Sequence, residues 1–307
     1  MSGADLGIGP QAGRGWTARM RLHQSWWRSE RLGVPYGPGS GRASGNLYGN
    51  MLTRADGERG LNFVSDAAWA AYRSHPGRGV EPDRCERNLL SSQPLAFNLF
   101  GPLTVDSALA TRLLRPLVED LDEVTGVHIE VPPQPKVEYL NDSTSFDALV
   151  TYLTTDGTRA FAGVEAKLTE PFTRRDFGIK PAYREITEAG GSPWRPGVIE
   201  ECHDRRWRQL WRDHLLVEAC AGHPERPYGE RGRVVVVRHP GDPEIGPVMT
   251  GYQRLLTHPE TCVDLPLDRL LSSWRVHARS GTEQDWLQRL HDRYLDLALS
   301  EHLVVRS

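Results

Sequence analysis

Phe146-Asp147-Ala148-Leu149-Val150, a turn at Asp156-Gly157, and Gly163-Val164-Glu165-Ala166-Lys167-Leu168 are the stretch from which the rest of this 307-residue chain is best read. Two short alternating or β-branched segments joined through Asp-Gly predict a β-hairpin. If Asp147 opens the first strand, Glu165 and Lys167 lie toward the far end of the return strand, beside it. Side chains two apart on a strand share a face, so Glu165 and Lys167 point together, away from Val164 and Ala166. The hairpin therefore brings two carboxylates and an ammonium to one end of a β-pair.

Around this hairpin, Val127 to Val131 and Lys136 to Leu140 read as further short strands. Val234 to His239 is a continuous apolar run expected to be a buried central strand, and Val263 to Leu265 another strand. Helical patterns cover 16–32, 62–75 and 83–100, where Pro94 either starts a new helix or kinks this one. Another helix is expected from an Asp106 cap to about Glu123, kinked at Pro116. Two more are expected from Asp204 to Ala221 and from Thr282 to Leu299. This succession predicts an α/β (α+β) fold, a central mixed β-sheet flanked by helices. Of the 30 glycines, 13 fall in the first 60 residues. Residues 1–60, with the loop Gly33 to Gly49, are thus expected to form a Gly-rich N-terminal arm packed on a single domain of 61–307.

Composition narrows the function classes. With 38% apolar and 25% charged residues the chain is expected to be globular. No apolar run approaches the roughly 20 residues of a membrane span, and no signal peptide is visible, so the expected location is the cytoplasm, with no membrane partner. The four cysteines form no CxxC pair and read as buried thiols rather than zinc ligands. No GxxxxGK[ST] exists, since the lysines follow Pro135, Ala166 and Ile179, and Gly7-Ile8-Gly9 does not follow a strand. GxSxG and HExxH are absent as well. The net charge of −3 excludes little, because local patches decide what a surface binds. More telling, Lys136, Lys167 and Lys180 are the only lysines among 37 basic residues.

Paired carboxylates beside a lysine suit phosphodiester hydrolysis. Mg²⁺ takes oxygen ligands and keeps several waters, so two carboxylates and a substrate phosphate suffice to hold it. Such a cation neutralises developing charge and helps to activate water. A neighbouring lysine can orient that water, and its pKa is tunable where arginine's is not. An ExK on a strand also occurs as a merely solvated face; Asp147, the hairpin and the scarcity of lysine weigh against that here. In the helix from Asp204 to Ala221, Trp207, Leu210, Trp211 and Leu215 can face a core. Arg205, Arg208, Gln209 and Arg212 gather on the other side, where the arginines could grip phosphates or form a solvated face. An Asp/Glu pair also fits a glycosidase, which leaves Lys167 and the arginines without a role. Trp26 and Trp27 stand among arginines and read as packing of the arm rather than base-stacking platforms.

Asp147, a hairpin, then Glu165-Ala166-Lys167 resembles the D…(D/E)xK signature of the PD-(D/E)XK, or restriction-endonuclease-like, superfamily. The order NLLSSQPLAFNLFGPL (88–103), SFDALVTY (145–152), GVEAKLTEPF (163–172) is similar to a bacterial branch whose helices precede the catalytic hairpin. The resemblance spans about 62–240 and most of the arm, although the motif itself is short. It implies a central mixed sheet with flanking helices and Mg²⁺-dependent nucleic-acid cleavage, and by family inference a place in restriction or phage defence. The chain is accordingly expected to be an endonuclease of DNA in which Mn²⁺ can substitute, with a homodimer or a defence-system partner protein as the candidate assemblies. By motif match, Asp147 and Glu165 would be metal ligands and Lys167 the catalytic lysine. Gln209 would support the site from the following helix, and Glu138 would be an extra acidic residue near the metal. Gln93 and Asn98 are further candidates for the cleft. Phe146 stands where the family often has proline. The alternative is a catalytically inactive nucleic-acid-binding module on the same scaffold.

Overall fold

β4 (Phe146–Thr154) and β5 (Arg159–Lys167) pair antiparallel, with Ala148 opposite Val164 and Leu153 opposite Arg159. Gly157 turns the chain between them at φ +80°, a conformation that L side chains rarely adopt. In this computed structural model the described residues are 6–7, 15–39, 46–173 and 175–304. Most of the Gly-rich leader, including Ile8 and Gly9, and the middle of the loop from Gly33 to Gly49 lie outside them.

The hairpin belongs to a five-stranded sheet of order β3-β4-β5-β6-β7. Here β3 is Leu121–Val131, β6 Arg231–Arg238 and β7 Cys262–Pro266. β3 pairs antiparallel with β4, while β5, β6 and β7 run parallel, so the sheet is mixed. β5 is its middle strand, and in the neighbouring β6 the run from Val234 to Val237 is buried between β5 and β7, as its unbroken apolar sequence predicts.

The chain divides into two compact units. One comprises 1–102, 168–170 and 274–307. Its helices are α1 (Gly15–Trp26, continued as π-helical turns to Leu32), α2 (Arg54–Glu58), α3 (Asp66–Ser74), α4 (Pro82–Arg87) and α5 (Ser92–Phe100). β1 (Tyr36–Pro38), β2 (Leu47–Leu52) and the late helix α12 (Gly281–Tyr294) complete it. Trp26 and Trp27 are buried there with Leu52 and Leu89, in keeping with packing rather than base stacking.

The other unit comprises 103–167 and 171–273 and holds the whole five-stranded sheet. Its helices are α6 (Ser107–Leu114), α7 (Pro181–Thr187), α8 (Ile199–Cys202), α9 (Arg208–Gly222) and α10 (Ile245–Gln253). The chain passes back to the first unit within α11 (Leu267–His277). Leu210, Trp211, Leu215 and Val217 of α9 pack with Leu149, Phe161, Val234 and Val236 of the sheet in one apolar core.

Several elements differ from the sequence expectation. Within the expected loop Gly33 to Gly49, Tyr36–Pro38 and the start of Leu47–Leu52 are paired strands. Asp106 caps α6 through the Leu109 amide at 2.8 Å, but the helix stops at Leu114. Pro116 lacks the N–H needed to continue it and sits in a 3₁₀ turn, after which β3 begins at Leu121. Lys136 to Leu140, expected to be a strand, contains a 3₁₀ turn at Lys136–Glu138 after Pro135. α9 starts at Arg208 rather than Asp204.

Gly163 explains the aromatic residue ahead of Asp147. A Cβ at position 163 would lie 2.4 Å from the Phe146 ring, so the ring rests on bare backbone. Gly163→Ala is expected to destabilise the protein by about 1–3 kcal/mol through overpacking. Urea denaturation of the variant tests this, and a second substitution, Phe146→Leu, should recover part of the loss.

Candidate functional site

Glu165 and Lys167 lie at the carboxyl end of β5, where ligands commonly approach sheets with parallel strands. Lys167 Nζ stands 2.7 Å from Glu165 Oε1, and both side chains are largely buried. Gln209, in the first turn of α9, bridges them. Its Nε2 donates to Glu165 Oε1 at 2.7 Å, and its Oε1 accepts from Lys167 Nζ at 3.4 Å and from the Thr173 amide at 2.6 Å. Only this orientation of the amide satisfies a carboxylate on one side and two donors on the other. Phe172 closes the apolar side, with Lys167 Nζ 5.0 Å from its ring centroid.

Asp147 joins from β4. Its Oδ2 accepts the Ala166 amide at 2.7 Å, which fixes its carboxylate between Glu165 and Lys167 in sequence. Asp147 keeps some exposure to solvent. Desolvation, then the charges of Glu165 and Glu130, push its carboxyl well above the usual range, against the Ala166 hydrogen bond and Lys167.

Two acidic residues here escaped the sequence reading. Glu130 lies opposite Asp147 in the β3–β4 register, between the pairs Ile129–Ala148 and Val131–Phe146. Asp213 lies one helical turn beyond Gln209 and is buried, and its Oδ2 makes no hydrogen bond. Burial, then the charge of Glu165, raises its pKa strongly, while Lys167 and Arg212 oppose the rise. The i, i+4 spacing from Gln209 was a usable signal for Asp213. Glu130 offered only a charge in an otherwise apolar strand end.

Other expected site residues go elsewhere. Glu138, in its 3₁₀ turn, pairs with His223 at 3.1 Å, so it is not brought to the Glu165–Lys167 pair. Arg212 is not on a phosphate-facing surface; it is buried and donates to Asp142 at 3.1 Å and Thr144 at 2.6 Å, under the Phe177 ring. Burial opposes the Asp142 charge, but hydrogen bonds from Tyr183 and Thr144 and the Arg212 guanidinium prevail and hold its pKa below the usual range. Arg208 pairs with Asp176 at 3.3 Å, and Arg205 is exposed in the turn before α9. Gln93 and Asn98 serve the first unit, Gln93 bonding Gly79 and Glu81, Asn98 bonding Asn62, Val64 and Tyr294. All four cysteines are buried and free.

The donors converging at β4 and β5 are oxygens, a set suited to a hard divalent cation rather than zinc. A cation also answers the electrostatics, because Asp147 is held where neighbouring carboxylates disfavour its charge. Among the described residues, the tightest trio of candidate ligands lies elsewhere: His291, Asp292 and Asp296 have ligand atoms within 4.8 Å of one another. That trio is in the other unit and has no lysine–glutamine pair beside it.

The fold and site define a mixed-sheet scaffold carrying an acidic pair and a lysine at one strand end. A sequence model of the PD-(D/E)XK nuclease superfamily matches residues 11–296, and the chain belongs to that superfamily. Members are generally nucleases that use divalent metals. No curated protein and no solved structure matches the chain.

The raised carboxyls give a pH prediction. Asp147 and Asp213 hold protons more tightly folded than unfolded. Their contribution to stability is fully present below about pH 4 and is lost as pH rises through their raised folded values. The melting temperature of metal-free protein should therefore fall as pH rises above that range. Asp213→Asn should flatten the fall; an unchanged slope would remove Asp213 as its source.

Proposed function

We propose that this chain is a Mg²⁺-dependent endonuclease that hydrolyses phosphodiester bonds of DNA, with Mn²⁺ able to replace Mg²⁺. The observation that carries this reading is the Glu165–Lys167–Gln209 cluster, with Asp147 hydrogen-bonded beside it, in a chain of the PD-(D/E)XK nuclease superfamily. Asp147 and Glu165 would hold the cation. When bound, it supplies charge neutralisation at the phosphate and lowers the pKa of an attacking water.

The protein's own groups do the positioning. Gln209 fixes the Glu165 carboxylate and orients the Lys167 ammonium. Lys167 would orient the attacking water and stabilise charge developing on the phosphate. Phe172 keeps one side of the ammonium dry, which strengthens these interactions. Exposed Arg205 is a candidate contact to backbone phosphate, with Arg208 beside it if its pair with Asp176 opens. Arg212 acts from inside: its bond to Asp142 ties the loop before β4 to α9, so the segments bearing Asp147 and Gln209 move together. Restriction or phage defence is the setting the family resemblance suggests, with the cytoplasm as the proposed location and a homodimer or a partner protein as the candidate assembly.

Purified protein incubated with supercoiled plasmid, single-stranded DNA or RNA, and Mg²⁺ or Mn²⁺, tests the reading. Wild type should cut DNA, while Lys167→Ala and Asp147→Asn lose about 10²-fold or more of the rate. Equal cutting by wild type and Lys167→Ala would overturn it. Cutting confined to RNA would overturn the choice of substrate, and cation-independent binding of DNA without cutting would favour an inactive module.

A further inference from the structure

The geometry points to a second ligand site, a pocket for a nucleoside phosphate within the unit of 1–102, 168–170 and 274–307. None of the hairpin carboxylates belongs to that unit, so the inference stands apart from the reading of the hairpin. A cavity of about 400 Å³ lies there among the π-helical turns after α1, the segment from Leu61 to Val64, and α12. That is within the range small-molecule sites occupy, roughly 300–1,000 Å³. Three guanidiniums line it, those of Arg31, Arg289 and Arg293. Against them, among the described residues, the wall sets one carboxylate, Asp292, 3.8 Å from Arg31. Trp27, Leu61 and Phe63 make an apolar side.

Arg293 is the residue that calls for an anion. It is 0% exposed, and its guanidinium donates to the Asn62 main-chain oxygen at 2.6 Å, to Asn62 Oδ1, and to Gln24 Oε1 at 3.3 Å. It also lies 4.9 Å from the Tyr294 ring centroid. All three acceptors are neutral, and among the described residues no carboxylate pairs with it. Burial lowers its pKa, with Tyr294 working against that. An uncharged donor would serve neutral acceptors as well, whereas a buried charge without a counter-ion is costly. Of the five N–H groups a guanidinium offers, these bonds use three. Arg31 and Arg289 are exposed and can meet a ligand entering from solvent. Phosphate suits such a set, since its oxygens match the guanidinium fork. A flat, largely apolar body attached to that phosphate suits the side made by Trp27 and Phe63. Trp27, 7% exposed, also has an indole N–H with no acceptor among the described residues. A nucleoside phosphate combines these features, whether as a free nucleotide or at the end of a strand.

Titration calorimetry in EDTA tests this with the four ribonucleoside 5′-monophosphates, ribose 5-phosphate, inorganic phosphate and a 5′-phosphorylated hexadeoxynucleotide. The proteins are wild type, Arg31→Ala, Arg289→Ala, Arg293→Gln and Asp147→Asn. At least one monophosphate should bind wild type about tenfold or more tightly than ribose 5-phosphate or inorganic phosphate do. Arg31→Ala and Arg289→Ala, altered at exposed positions, should melt as wild type and bind that nucleotide about tenfold more weakly. Arg293→Gln, which keeps an uncharged donor toward Asn62, should lose the binding as well; if it does not fold, the two exposed variants decide. Asp147→Asn should bind as wild type. If the hexadeoxynucleotide binds more tightly than any monophosphate and the arginine variants weaken it, the pocket stands and its ligand is a strand end. The opposite order, with the same losses, makes it a free nucleotide. No binding of any of these probes by wild type, or affinity unchanged in both Arg31→Ala and Arg289→Ala, would overturn the pocket. Binding lost in Asp147→Asn alone would put the nucleotide at the hairpin and overturn it equally. Ribose 5-phosphate binding as tightly as every monophosphate would overturn the role of the base.

Discussion

The register between β4 and β5 is the constraint on which the site depends. With Ala148 opposite Val164, Asp147 reaches the Ala166 amide, and Glu165 and Lys167 arrive on one face two residues apart. A slip of one residue would send Glu165 and Lys167 to the opposite face and break the contact to Gln209. Gly157 sets the turn, and the Phe146 ring over Gly163 resists slippage at the other end. The same contacts that align the hairpin therefore align the chemistry.

Around that register the protein gathers more negative charge than it would need for folding. Lys167 offsets Glu165, and Arg212 offsets Asp142, each through hydrogen bonds as well as charge. Asp147 and Asp213 are left with raised proton affinity by burial and by Glu165. A buried pair is costly to break, at about 3–5 kcal/mol when one partner is removed, so the Arg212–Asp142 pair is a brace. Asp147 and its acidic neighbours are a different matter, a local excess of charge that a bound cation would relieve.

The legible parts of the sequence were those governed by local rules. Asp156-Gly157 marks a turn because only a few residues tolerate its geometry, and ExK places two side chains on one face by strand periodicity alone. Gln209 was readable as the uncharged polar residue among the arginines of the first turns of that helix. Glu130 was not, because its place opposite Asp147 follows from pairing across β3 and β4, which no local pattern encodes. Arg212 was misread for a related reason: helical periodicity gave its face, but not that Asp142, seventy residues earlier, folds back to bury it. The helix after Asp106 was drawn too long, since apolar spacing continues through Pro116 while the backbone cannot. The division of the chain depends on which distant segments pack together, and the glycine-rich composition of 1–60 carried no information about the return of 274–307.

The most direct test is anomalous diffraction from crystals grown with Mn²⁺. The account predicts an anomalous peak in contact with carboxylate oxygens of both Asp147 and Glu165. A peak confined to His291, Asp292 and Asp296, with Asp147 and Glu165 free of metal at saturating Mn²⁺, would contradict it.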